Sequence, residues 1–326
     1  MTLMIVIPCL NESKNLPILL EQFLSDPTAE LIVVVDGGSS DGSREIVQQI
    51  CSTNYRVKLI HNAAKIQSAG VNLAVSEFGT DFDWLLRVDA HCLYPDNYAK
   101  KLLSSAIKNR ADSVVVPMRT IGAGGFQDAV ALAQNSVLGT GGAAHRHIGK
   151  SHFVDHGHHA LIRMRVFREI GGYCEAMPCN EDAEFDYRQT QAGAKIWLET
   201  DAAIDYFPRS TPKALWTQYF KYGVGRARTL KRHGMQPHLR QVLPLAIPVA
   251  AIGLLFTAIH WVFAVPFLVW LSICLLLGAF LGIRAGGGAK LLAGVAASIM
   301  HLAWGSGFVW SYIKWKSEPL PKYGLS

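Results

Sequence analysis

Two acidic positions, Asp36 and Asp89, each follow an apolar run at a strand end, a setting in which a carboxylate can meet a ligand instead of filling a core. Leu31 to Asp36 is a β-branched run that ends on an acid before Gly37-Gly38-Ser39-Ser40-Asp41-Gly42. Trp84 to Asp89 ends the same way, with His91 two residues on, and Asn180-Glu181-Asp182 opens a polar stretch that reaches Gln191. In open α/β sheets, small molecules bind beyond the carboxyl ends of the strands, where helix N-termini and backbone N–H groups gather. Residues two apart at an extended strand end point to one side, so Asp89 and His91 can reach the same ion. A carboxylate with an imidazole suits Mn²⁺ better than Mg²⁺, which prefers an oxygen shell. His158, in the run Asp155-His156-Gly157-His158-His159, is a candidate further ligand. Acids at 181, 182, 184 and 186 raise one another's proton affinity, which suits a base working near neutral pH.

Each position also has a plainer reading. Asp36 opens a tight turn and Asp41 caps a helix from Ser43 to Ile50. The histidines are polar loop residues. Asn180 is an N-cap whose first-turn acids are favoured by the helix dipole.

The elements that must position these residues alternate. Met4 to Pro8, Leu31 to Asp36, Val57 to His61 and Trp84 onward read as strands; Leu16 to Phe23, Ser43 to Ile50 and Gln67 to Val75 read as helices. That alternation predicts an α/β domain with a mostly parallel sheet covered by helices on both faces. There is no P-loop lysine motif and no GxGxxG after the first strand, which excludes the ordinary nucleotide and dinucleotide fingerprints.

Four segments in order, Ile7-Pro8-Cys9-Leu10-Asn11-Glu12, Val35 to Gly42, Val88-Asp89-Ala90-His91 and Asn180 to Phe185, together resemble the inverting family 2 glycosyltransferases of GT-A fold, in particular glucosyltransferases of succinoglycan-type exopolysaccharide assembly. The resemblance covers about the first two thirds of the chain. It implies an enzyme that takes a UDP-sugar, with glucose as the expected sugar, and extends a glycan on a polyprenyl diphosphate. By the same resemblance Pro8, Glu12, Asp36, Lys65, Asn72 and Asp89 bind the nucleotide sugar, with Asp36 accepting the uracil N3–H. Asp89 and His91 stand where the family carries an Asp-x-Asp metal motif, the second acid replaced by histidine, with Mn²⁺ as the expected cofactor. Asp182 is implied as the catalytic base with Glu181 beside it, giving a β-linked product from an α-linked donor. Gln218 to Arg226 stands where processive relatives carry Gln-x-x-Arg-Trp. The match is incomplete, and Lys221 or Arg226 is expected to meet a diphosphate or anionic lipid. A polyprenyl-phosphate glycosyltransferase, a small processive synthase and a non-catalytic membrane scaffold are the alternatives; the acids at 36, 89 and 182 argue against the scaffold.

Charge divides the chain. Residues 1–205 hold 24 acids and 18 Lys and Arg, a net of −6, whereas residues 206–326 hold 13 bases and one acid, a net of +12. A boundary is expected near Asp205 to Thr211, with domains at 1–208, a basic amphipathic interfacial segment at 209–240, a membrane region at 241–313 and a basic tail at 314–326. Val242 to Ile259 and Val262 to Ile283 are uncharged runs long enough to span hydrocarbon, and Leu291 to Ile313 is a weaker third that is a full span or re-entrant. Arg226, Arg228, Lys231, Arg232 and Arg240 before the first run place the catalytic domain on the cytoplasmic side of a bacterial plasma membrane. Spans so close behind this basic run exclude a nucleic-acid partner. The start, Met1-Thr-Leu-Met-Ile, reads as a strand with no signal peptide. Six cysteines without a CxxC pair are read as reduced thiols.

Overall fold

The computed structural model describes residues 1–141, 149–177, 179–237 and 239–314. All of the tail from 315 onward lies outside the described residues. Residues 1–118 and 149–205 form one compact unit, and residues 119–141 and 206–314 another. The break after Asp205 falls where the charge balance changes. Residues 119–141, expected in the first domain, belong instead to the second unit.

In the first unit the chain runs β1 (Leu3–Cys9), α1 (Leu16–Leu24), β2 (Leu31–Asp36), α2 (Ser43–Thr53), β3 (Val57–His61), α3 (Gln67–Phe78), β4 (Trp84–Arg87), β5 (Cys92–Leu93), α4 (Tyr98–Asn109) and β6 (Ser113–Val116). After β7 (Met118–Thr120), α5 (Phe126–Gln134) and α6 (Val137–Thr140), it returns with β8 (His152–Val154), β9 (His158–Arg163), α7 (Met164–Glu169), α8 (Glu181–Gln191), β10 (Ile196–Leu198) and β11 (Ile204–Tyr206). The main sheet has the order β3-β2-β1-β4-β9-β6-β10-β8. Its pairs are parallel except where β9 meets β4 and β6 and where β8 meets β10. The mostly parallel expectation therefore holds. Central strands are apolar on both faces because helices cover both: Leu3 to Ile7 and Ile32 to Val34 are fully buried. Met4, Val33, Val71, Leu85, Phe167 and Phe185 share one core cluster, each such side chain worth roughly 1.5–3 kcal/mol of burial.

The second unit is helical, with α9 (Pro212–His233), α10 (Leu239–Gly253), α11 (Val265–Arg284) and α12 (Ala293–Lys314). The run expected to span from Val242 ends early: α10 stops at Gly253, continuing past Pro244 and Pro248, and gives way to a tight turn at Leu254–Phe256. Among the described residues, two other helical segments are long and apolar enough to cross a membrane, Trp261–Arg284, which is mostly exposed, and Gly288–Lys314, of whose most apolar stretch about half is buried. The apolar face of α9 is mostly buried rather than turned outward as in an interfacial helix, although Trp216 is exposed. Leu215 and Tyr219 pack with Ala296, Ala297 and Met300 of α12, and Gly223 lies so close to Trp304 and Phe308 that a Cβ would overlap their backbone. With Lys231 donating to Tyr312 O at 3.1 Å, residue numbers rise together along both helices, so they run parallel.

Candidate active site

Two loops at the ends of β1 and β2 are stapled side by side. The Asn11 N–H donates to Ser39 Oγ at 2.8 Å, the Glu12 N–H to Ser43 Oγ at 2.9 Å, and the Ser13 N–H to Asp41 Oδ2 at 3.0 Å. Asp41 also accepts from the Ser43 N–H at 3.1 Å, although the helix's N-cap position is Gly42 at φ +93°, which glycine adopts without strain. These bonds hold the Asp41 carboxyl well below the usual carboxylate range, with the Ser43 hydroxyl contributing most.

Asp36 is where the sequence puts it, but its carboxylate is turned inward. It is 1% exposed and accepts from the Gly38 N–H at 2.9 Å and the Ser39 N–H at 3.1 Å, so it closes its own turn. The turn reading accounts for these two bonds, and Arg44 Nε stands 3.7 Å from Asp36 Oδ2. Pro8 pairs with Val35 beside this turn, and the Lys65 Nζ lies near Gly38. Asn72 corrects the expectation more strongly. It is 2% exposed, its amide donates to Tyr173 O at 2.8 Å and Glu175 Oε1 at 2.9 Å, and its Oδ1 accepts from the Tyr173 N–H at 2.8 Å. An amide committed on both sides is a structural clasp and has nothing left for a nucleotide.

The centre of the site is a residue that the motifs do not flag. Arg87, 4% exposed at the end of β4, reaches Asp182 Oδ1 at 2.5 Å, Glu181 Oε1 at 3.2 Å and Asp89 Oδ1 at 3.4 Å, and its guanidinium lies 5.5 Å from the Tyr173 ring centre. Its signal in the sequence is a lone cation inside the apolar run Trp84 to Val88, which burial obliges to be paired. Burial raises the proton affinity of Asp89, but Arg87, His158 and His91 together outweigh it and hold the carboxyl far below its usual range. For Glu181 the balance is opposite: burial and then the adjacent Asp182 raise its pKa, and Arg87 only partly compensates. Asn180 stands at the N-cap of α8 in the left-handed conformation, φ +59°, and makes no side-chain capping bond, so the expected cap fails.

Asp89 is further fixed by Gln67 Nε2 at 2.6 Å, and the Asp89 N–H donates to the Tyr94 hydroxyl at 2.7 Å. Donor atoms of Asp89, His91 and Cys92 lie within 4.8 Å of one another. His158 Nε2 stands 3.4 Å from Asp89 Oδ2 and its Nδ1 3.9 Å from Asp182 Oδ2. A bulge delivers it: Val114 pairs with Leu161 but Val115 with His159, an extra residue in β9 that re-aims the strand start. A carboxylate with imidazoles and a thiol nearby fits a divalent transition-type ion. His91 Nδ1 is also 3.3 Å from Glu12 Oε1, linking the metal candidates to the β1 loop. That contact and the Asn15 amide lower the Glu12 pKa against the effect of burial. His156 is bound elsewhere, to the buried Asp186 at 2.6 Å. Lys221 and Arg226 both lie on α9 in the helical unit.

The glycosyl transferase family 2 model matches residues 4–171. The chain is 45% identical over 307 residues to "Succinoglycan biosynthesis protein ExoA" of Rhizobium meliloti (strain 1021), covering 94% of this chain and 93% of that protein. Among solved structures, the mannosyltransferase PcManGT of Pyrobaculum calidifontis in complex with GDP-Man and Mn²⁺ has a TM-score of 0.58 at 15% identity, covering 92% of this chain and 86% of that one. GalNAc-T7 with UDP, GalNAc and Mn²⁺ has a TM-score of 0.51 at 16% identity, covering 72% of this chain and 50% of that one.

Proposed function

The chain belongs to glycosyl transferase family 2 and is a glycosyltransferase of GT-A fold; from that premise we propose that it moves glucose from UDP-glucose onto a polyprenyl-diphosphate-linked glycan, with inversion, at the cytoplasmic face of a bacterial plasma membrane. The relative's role in succinoglycan biosynthesis supports an exopolysaccharide as the product. The observation that carries the reading is the gathering of Asp89, Glu181 and Asp182 around Arg87, with His91 beside Asp89, at one end of the mostly parallel sheet.

In this reading the β1 and β2 loops, with Pro8, Glu12 and Lys65, cradle the nucleotide, and Asp36 keeps the Gly37–Gly38 turn in shape beneath it. Asp89 and His91, with His158, are the residues that would hold the divalent cation, Mn²⁺ in preference to Mg²⁺. A cation there supplies positive charge to the departing diphosphate. Asp182 takes the proton from the incoming hydroxyl, and Arg87 keeps that carboxylate aimed. Glu181 is its neighbour on the same first helical turn.

Membrane attachment rests on α11, whose outward residues Leu268, Ile273, Leu276 and Phe280 are each at least half exposed. The third segment is better read as re-entrant or interfacial than as a span. A spanning α12 would carry its parallel partner α9, with Lys221, Arg226 and Arg228, into hydrocarbon, at about 2.5–3.5 kcal/mol for each charge. Those residues instead suit anionic headgroups.

The test is calorimetry of UDP binding, together with transfer assays across several UDP-sugars and lipid-linked acceptors, with and without Mn²⁺. Asp89→Ala and His91→Ala should each remove metal-stimulated UDP binding. Unchanged metal-dependent binding in both variants would overturn the metal assignment, and transfer from a GDP-sugar alone would overturn the donor.

A further inference from the structure

Apart from the catalytic cluster, the first unit contains a groove of about 590 Å³ between α4 and the segment that follows β10. Its aromatic side is Trp197, half-buried, whose indole N–H donates to Glu199 Oε2 at 3.3 Å and whose ring meets the edge of Phe153 at 4.9 Å between centres. Glu199 is itself fixed by the Ser105 hydroxyl at 2.5 Å, the Ser151 hydroxyl at 3.1 Å and the Asp201 N–H at 3.2 Å, so the ring is held in place. Facing it, Asn97, Lys101, Ser104 and Lys108 stand exposed at helical spacing along one face of α4.

We propose that this groove binds an oligosaccharide, holding sugar units of the acceptor away from the hydroxyl that reacts. A fixed aromatic ring facing amide, hydroxyl and ammonium groups is complementary to a pyranose, which presents a C–H face to the ring and hydroxyls to the wall. The volume lies within the range of small-molecule sites. An anionic membrane surface fits less well, because Glu199 and Asp201 stand among the three lysines of the lining and leave only one net positive charge. The sheet order puts β10 on the side of β4 opposite to β1 and β2, which carry the nucleotide loops. The groove also begins beside the catalytic cluster. Tyr98, next to Asn97, packs on Tyr94 at 4.8 Å, and Tyr94 receives the Asp89 N–H. The choice of ligand class rests on the glycosyl-transfer reading, but binding is measured without transfer.

The experiment uses full-length protein in detergent, with cellohexaose as a neutral probe and a galacturonic acid hexamer as an acidic one, followed by indole fluorescence and saturation-transfer NMR. UDP binding is measured in parallel. Trp197→Ala should weaken the bound probe by about tenfold or more, and Ser104→Trp, which fills the groove from an exposed helix position, should do the same, both with UDP affinity unchanged. If Trp197→Ala does not fold, Ser104→Trp decides. Equal probe binding by Ser104→Trp and the parent, or binding of neither probe by protein that binds UDP, overturns the groove. Probe binding without UDP binding leaves the groove standing and removes the donor reading. Loss of binding to anionic vesicles in Ser104→Trp, with no sugar binding by the parent, would assign the surface to lipid and overturn the proposal.

Discussion

Arg87 at the end of β4 grips Asp182 at the start of α8 across 95 residues of sequence, Nη1 to Oδ1 at 2.5 Å. The candidate base is therefore not a loop acid waiting in solvent. It is one member of a buried charge cluster in which a single guanidinium answers three carboxylates.

Asp182→Asn keeps size and shape while removing the ability to take a proton. Transfer should fall roughly 10²-fold or more, the usual scale for a lost general base. UDP-sugar affinity should hold, since Arg87 retains Asp89 and Glu181 as partners. Single-turnover kinetics beside calorimetry separates the two, and near-normal transfer would move the base to Glu181 or elsewhere.

Arg87→Met should be far more damaging to the fold than its position in an apolar strand suggests. Removing one side of a buried charge set costs about 3–5 kcal/mol because the other side stays buried and uncompensated. A divalent cation beside Asp89 would replace part of the missing charge, so Mn²⁺ should raise the melting temperature of the variant more than that of the parent. Parent-like stability in chelator would show that the cluster is not held by Arg87.

Glu181 gives a pH signature. Its pKa is raised by burial and by Asp182, so the folded chain keeps a proton that the unfolded chain releases above about pH 4.3. Stability must then fall as pH rises from there through the raised folded value. Glu181→Gln lacks this loss, so its stability relative to the parent should rise as pH rises above about 4.3, read by thermal unfolding in chelator. A difference that does not change with pH would contradict the assignment.

Full-length protein should resist salt and carbonate and leave membranes only with detergent. The double variant Ile273→Arg and Leu276→Arg, on the exposed face of α11, should be released by carbonate, since each charge costs about 2.5–3.5 kcal/mol at mid-helix. Release of the parent by carbonate alone would remove α11 from the bilayer.

The half of the sheet formed by β1 to β4 was legible because those strands are apolar runs that stop on polar residues, whereas β6, β8 and β10 are short and, with β9, were not. The residues Asp89, His91, His158, Glu181 and Asp182 do converge. What sequence could not supply was distance: Asn72 and Tyr173 lie 101 positions apart, so the resemblance that assigned Asn72 to the nucleotide sugar had no means of showing the clasp. Arg87 was hidden for a related reason, since an apolar run reads as core and its cation stands out only once three acids are found around it. The apolar content of Val242 to Ile259 suggested a span, but hydropathy does not register the turn at Leu254–Phe256 that interrupts it. Gly223 and Gly307 carried the signal that α9 and α12 approach closely; the stripe of aromatics beside them pointed to lipid instead.

The clasp formed by Asn72 has a mechanical meaning. Gln67 in the first turn of α3 fixes Asp89, and Asn72 one turn later fixes Tyr173 and Glu175, which lead the chain into Glu181 and Asp182. One rigid helix is thus the gauge that spaces the donor-side acid from the proton acceptor. Any drift of α3 shifts both together and cannot retune one alone. A lineage that changes acceptors while keeping its donor would then have to vary residues that α3 does not hold, and the helix itself should be the part least free to change.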